Sequence, residues 1–149
     1  MAKKYDVLMP HMRKNPNFET SRAEEMFNRF LDEKFSYEEI SNHPDYLVQA
    51  SAEMLADMIP WIIEDMLKKK DLENYLIYPI IMDIDLQAYE IPTARERVEK
   101  LIELANLPFI EKICIFLDHL KDDPPIPQEE FERLHLFWNQ RLTEKKAPS

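Results

Sequence analysis

The chain has 149 residues, 45% hydrophobic and 32% charged, with a net charge of −10, one cysteine and no glycine. That length supports one domain with a full core. Its apolar runs fall short of the ~20 residues a membrane span needs, and a lone cysteine, Cys114, excludes an internal disulfide framework. Without glycine there is no phosphate-cradling loop, no nucleophile elbow and no Asn-Gly hairpin turn. The N-terminus, MAKKYDVLMPHMRKNPNF, has neither an apolar h-region nor a small-residue cleavage site, which points to a reducing, cytoplasmic setting.

Residues 1–19 lack periodicity and are expected to form an arm that folds back through Tyr5, Val7, Leu8 and Met9. A helical domain then spans 20–144, followed by a polar tail at 145–149. Ser21 and Glu24 have capping-box spacing and open a helix to about Lys34, with Ala23, Met26, Phe27, Phe30 and Leu31 inward. Ser36 and Glu39 repeat that spacing ahead of a short helix ending before Pro44.

The stretch Ser51–Lys70 organises the rest. At about 100° per residue its polar side chains fall in one narrow stripe of Glu53, Asp57, Pro60, Glu64 and Lys68. Almost all of the remaining circumference is apolar, with Asp65 breaking the pattern, so this helix should be packed on several sides. Pro60 lies on the polar stripe, where water can satisfy the carbonyl that it deprives of a donor. The pattern gives a kinked, continuous helix, with two helices meeting at Pro60 as the alternative.

Beyond Lys70 the periodicity fades. Ile77–Ile91 reads as a loop holding one helical turn at most, since a strand there has no partner to pair with. Thr93 and Glu96 supply a third capping box for a helix to about Ala105. A further helix over 108–121 buries Phe109, Ile110, Ile113, Cys114, Phe116, Leu117 and Leu120. The last, over about 127–143, presents Phe131, Leu134, Trp138 and Leu142 on one side. Leu136 and Phe137 fall off that side. Asn42, Asn74 and Asn106 stand where helices would end without glycine. The fold class is therefore all-α: six or seven helices around a buried, Pro-kinked central helix.

Metal and catalytic signals are weak. His11, His43, His119 and His135 are scattered, and no zinc spacing is present. Asp118, His119, Asp122 and Asp123 resemble a metal cluster only in composition, because adjacent helical side chains fan apart. Asp83 and Asp85 form the only D-x-D and could hold a divalent ion or do acid–base work, but the local sequence offers no Lys, Arg or Gly to help. Cys114, flanked by apolar residues, should be buried and inert. No cofactor, no metal ligand and no catalytic residue is assigned.

Charge distribution says more. The first 14 residues carry +3 and the last nine +2, leaving −15 on the body. From Phe35 to Leu67 there are seven acids and no Lys or Arg, and from Asp71 to Ala94 five more. Such a surface repels nucleic acid and anionic membrane and steers a basic partner inward. The expected function is an acidic protein-binding protein. It would act as an immunity- or antitoxin-like inhibitor that occludes a basic partner such as a nuclease toxin, with Asp83, Asp85, Tyr89, Glu90, Asp122 and Asp123 in contact. The alternatives are a structural or adaptor module, homodimeric through Leu136 and Phe137, and a carboxylate-based metal-dependent enzyme.

Asp45-Tyr46-Leu47, Met58-Ile59-Pro60-Trp61-Ile62-Ile63, Phe116-Leu117-Asp118-His119-Leu120 and Phe137-Trp138 together resemble an uncharacterised family of small helical bacterial proteins marked by an apolar-Leu-Pro-Ala-apolar helix. Here Ile59 and Trp61 stand in place of that Leu and Ala. The matching residues are core-packing types, so the resemblance implies a fold and no site. In its general type, acidic, small and helical, the chain also resembles the immunity proteins of bacterial nuclease toxins.

Overall fold

The computed structural model describes residues 5–10, 17–32 and 36–147. The α-helices taken up here are α1 (Phe18–Leu31), α2 (Tyr37–Ser41), α3 (Ala52–Lys68), α4 (Ile77–Asp83), α5 (Pro92–Leu104), α6 (Leu107–Leu120) and α7 (Gln128–Lys146), with a 3-10 helix at Pro44–Gln49 between α2 and α3. The fold is all-α: among the described residues the only β-type pairing is an isolated antiparallel bridge between Leu8 and Ala50.

Helix α3 is the buried centre. Met54, Leu55, Met58, Ile59, Ile62, Ile63 and Met66 have no exposed surface, while Asp57, Glu64 and Lys68 face solvent. It packs against α5 and α6. The helix runs unbroken through Pro60, as one element and not two. Ser51 caps it by accepting from the Met54 N–H at 3.2 Å.

Its C-terminus solves the missing-glycine problem in an unexpected way. The Asp71 N–H donates to the Met66 carbonyl at 3.0 Å and the Lys70 N–H to that of Leu67 at 3.2 Å, the two bonds of a Schellman close. Lys70 takes the left-handed position with φ 53°, a conformation that glycine adopts without steric cost.

Other helix starts depart from the sequence reading. Asn17, not Ser21, caps α1, its Oδ1 accepting from the Thr20 N–H at 2.8 Å. Ser36 caps α2 as expected. Helix α5 starts at Pro92 without a side-chain cap, so Thr93 lies inside the first turn. Asn106 begins α6 and does not end α5, accepting from the Phe109 N–H at 3.0 Å. The expected extension of α1 into residues 33 and 34, most of the arm and the end of the tail lie outside the described residues, as does His11.

The arm does fold back. Met9 N–H donates to the Gln49 carbonyl and Ser51 N–H to that of Val7, both at 2.9 Å, and Val7, Leu8 and Met9 are buried. At the other end of the chain, α6 and α7 form an antiparallel pair. Asp118 meets His135 near the connection, and Phe109 meets Trp138 farther from it. The stiff 121–127 segment, with prolines at 124, 125 and 127, joins them.

Candidate functional site

Of the stretch 77–91, expected to be a loop with one helical turn at most, the first seven residues form helix α4, and 84–91 is non-helical as expected. In α4 and its flanks, Leu76, Ile77, Ile80, Ile81 and Ile84 are buried, and Tyr75, Tyr78 and Met82 face outward at 75%, 48% and 39% exposure. Steps of three and four residues separate both sets, which is helical spacing. The density of apolar residues and the local alternation at 80–86 hid that period in the sequence.

Asp83 closes α4 and points into the protein. It has no exposed surface, and its Oδ1 accepts from Arg97 Nη2 of α5 and from the Tyr89 hydroxyl, the latter at 2.8 Å. The other terminal nitrogen of Arg97, Nη1, donates to the carbonyls of Leu47, Val48 and Ala50 at 3.1, 2.9 and 3.0 Å, while Nε is buried without a hydrogen bond among the described residues. These carbonyls belong to the end of the 3-10 helix, where the chain turns extended; that of Leu47 also accepts from the Ala50 N–H at 3.2 Å, while Arg97 serves those of Val48 and Ala50, beyond the last helical bond. The planar guanidinium fork therefore joins three separate segments around one buried charge. Burial pushes the Asp83 carboxyl up to about 6, opposed by the charge of Arg97 and the hydrogen bonds from Tyr89 and Arg97. Burial raises the Tyr89 hydroxyl as well, followed by the charge of Asp83.

This removes Asp83 from the expected contact surface, since its carboxylate has no exposure: Oδ1 is spent on internal partners, and Oδ2 is buried without a hydrogen bond among the described residues. The Tyr89 hydroxyl is likewise turned inward. Asp85, two residues on, behaves differently. Its Oδ1 accepts from the Gln87 N–H at 3.0 Å in a side-chain-closed turn, and its Oδ2 faces Arg133 Nη2 of α7 at 3.4 Å. The two carboxylates of the D-x-D thus occupy separate environments and do not share a ligand. Glu90 is exposed, and so are Asp122 and Asp123 in the α6–α7 connection. Among the described residues no hydrogen bond or ion pair joins Asp122 or Asp123 to the 83–90 segment.

Sequence reasoning missed Arg97, Arg133 and Glu130, because the cation-free stretch from 71 to 94 was judged on local neighbours. The fold brings these charges in from α5 and α7. A groove of about 430 Å³ opens between the α4 end and α7, with Met82, Ala88 and Ile126 as walls and Asp85, Glu130 and Arg133 at its edge. A larger hollow of about 550 Å³ lies between the arm and helices α3 and α5. There Lys100 already pairs with Glu53 at 2.9 Å, and no nucleophile–base pair or metal-ligand set stands over it.

Other candidate groups are occupied. Asp118 bonds His135 Nε2 at 2.8 Å, while His119 turns its Nδ1 to the Ile115 carbonyl at 2.8 Å, so neighbours in sequence fan apart. Among the described residues no group of three or more His, Cys, Asp or Glu side chains could hold a metal ion. Cys114 is buried and its thiol is shifted up by burial. Leu136 is 58% exposed, whereas Phe137 packs edge-on against Trp138. No helix of the described residues is long and apolar enough to cross a membrane. Comparisons with models of known protein families, with characterised proteins and with solved structures find no match.

Proposed function

We propose that this protein is an acidic binding module that docks a basic protein through the outer face of α4 and the groove beside it, and inhibits that partner by occlusion. The observation that carries the reading is the row Tyr75, Tyr78 and Met82, exposed at helical spacing, with Asp85 and Glu130 lining the same groove as Met82. Tyr and Met are enriched in the cores of protein interfaces, and a charged rim is their usual border. A body carrying −15 steers a cationic partner and keeps nucleic acid away. Asp85, Glu90, Asp122 and Asp123 supply the acidic contacts in this reading, which is that of an immunity-type inhibitor with a nuclease toxin among the candidate targets.

The test is capture of a basic protein from lysate, eluted in salt steps, followed by measured binding of that protein to Tyr75→Ala/Tyr78→Ala and Glu130→Lys. The expected result is at least a tenfold loss for the tyrosine pair and a slower, less salt-dependent association for Glu130→Lys. Unchanged binding by both variants would overturn the reading. A second reading, a homodimer, is favoured by one observation, the exposed Leu136 on α7. Sedimentation giving a strict monomer at high concentration would exclude it.

A further inference from the structure

Resting on the docking reading above, the geometry points to Asp85 as the receiving carboxylate for an arginine side chain of the partner, with Arg133 as an internal placeholder that the incoming arginine displaces. Asp85 is fixed and nearly buried, its side chain 12% exposed and held by the Gln87 N–H. Arg133 is 42% exposed and spans a long 3.4 Å to Asp85 Oδ2, its one hydrogen bond or ion pair among the described residues. A well-placed charged pair sits closer than that, at about 2.7–2.9 Å. The anion is thus preorganised and its present cation is loosely held.

The surroundings suit a guanidinium on a long apolar stem. Met82, Ala88 and Ile126 line the groove on one side of the Arg133–Asp85 bridge, and Glu130 adds a second acid at its edge. On the other side lies a hollow of about 230 Å³ between Ile84, Leu86 and Phe137. Arg133 lines both hollows, together with Asp85 and Gln87, so displacing its side chain enlarges the space around Asp85. Methylene groups would lie along the apolar walls while the planar head meets Asp85 in-plane, an arrangement that a lysine ammonium fills less well.

The test titrates N-acetyl-arginine methylamide into the full-length protein and follows amide resonances by NMR, with the citrulline and lysine analogues as controls. The arginine probe is expected to shift residues 82–88 and 126–133, the citrulline probe to shift none, and the lysine probe to bind several-fold more weakly. Arg133→Gln should tighten arginine binding several-fold. Asp85→Asn, which keeps an acceptor for the Gln87 N–H, should abolish it while leaving the melting temperature close to the wild type. Shifts located elsewhere, or arginine binding indifferent to Asp85→Asn, would overturn the assignment. The two ideas separate cleanly with the captured basic protein. If that protein needs Tyr75 and Tyr78 but ignores Asp85→Asn, the arginine site falls and docking stands. If the arginine probe behaves as expected while the protein ignores both the tyrosine pair and Glu130→Lys, docking falls and the arginine site stands.

Discussion

Arg97 and Asp83, from successive helices, face each other with both side chains sealed from solvent, and Arg97 divides its donors between that carboxylate and three backbone carbonyls. Removing one member of a buried pair strands the other. Asp83→Asn should therefore lower stability at neutral pH, but by less than the ~3–5 kcal/mol that losing half of a fully favourable buried pair costs, because burial opposes the Asp83 charge. Arg97→Met should cost at least as much, because it leaves the Asp83 charge with the Tyr89 hydroxyl alone and takes the donor from the carbonyls of Val48 and Ala50. Urea denaturation of both variants decides the point: a cheaper Arg97→Met would show that the carbonyl bonds contribute little.

Asp83 also sets a pH dependence. Its carboxyl is raised from an ordinary 3.8 to about 6 in the folded state. Between those values the folded protein binds more protons than the unfolded one, so stability falls as pH rises. The contribution of Asp83 is full below about 4 and is lost as pH passes through about 6. Subtracting the stability of Asp83→Asn from that of the wild type removes the other carboxylates from the comparison. The difference should decline across this window and then level off. A flat difference would mean that pairing with Arg97 fully offsets burial.

Lys70 holds a left-handed backbone that costs a side-chain-bearing residue about 1–2 kcal/mol, while glycine there would add roughly 0.5–1 kcal/mol of unfolded-state entropy. Lys70→Gly should therefore stabilise the protein by about 0.5–1 kcal/mol, read as a higher denaturation midpoint at unchanged slope.

Ser51 carries two duties. Its Oγ accepts from the Met54 N–H at 3.2 Å to cap α3 and donates to the Asp6 carbonyl at 2.6 Å to hold the arm. Ser51→Ala should cost about 1–2 kcal/mol. Ser51→Asp keeps the acceptor and loses the donor, so it should recover the cap alone. Hydrogen exchange at the Met9 amide separates these effects, remaining fast in both variants if the Asp6 bond anchors the arm.

The parts legible in the sequence are those governed by one helix at a time. Along the polar stripe Asp57, Glu64 and Lys68 are exposed and Glu53 is partly buried, while Phe131, Leu134 and Trp138 are buried together, because helical periodicity alone decides both. Cap choice was harder. Asn17 and Ser21 are both good caps, and only the position of the free Thr20 N–H selects between them. Pro92 pre-empted Thr93 because its fixed φ suits a first turn. The site was least legible. Asp83 and Asp85 look equivalent in a D-x-D, yet Arg97 from α5 draws one fully inside and a side-chain-closed turn holds the other in the lining of the α4–α7 groove. Their difference is tertiary and has no local signature.

Trp138 is fully buried in α7, and its indole N–H donates to the carbonyl of Ile84 at 3.0 Å, one residue before Asp85. The protein thereby contains its own spectroscopic reporter. The only other indole, Trp61, sits half-buried and edge-on to Phe30 on α1, so the two signals are distinguishable. Anything that settles on the α4–α7 groove and shifts the 84–87 backbone will move the Trp138 indole resonance without touching the residue, and an unlabelled partner can be followed from inside the core.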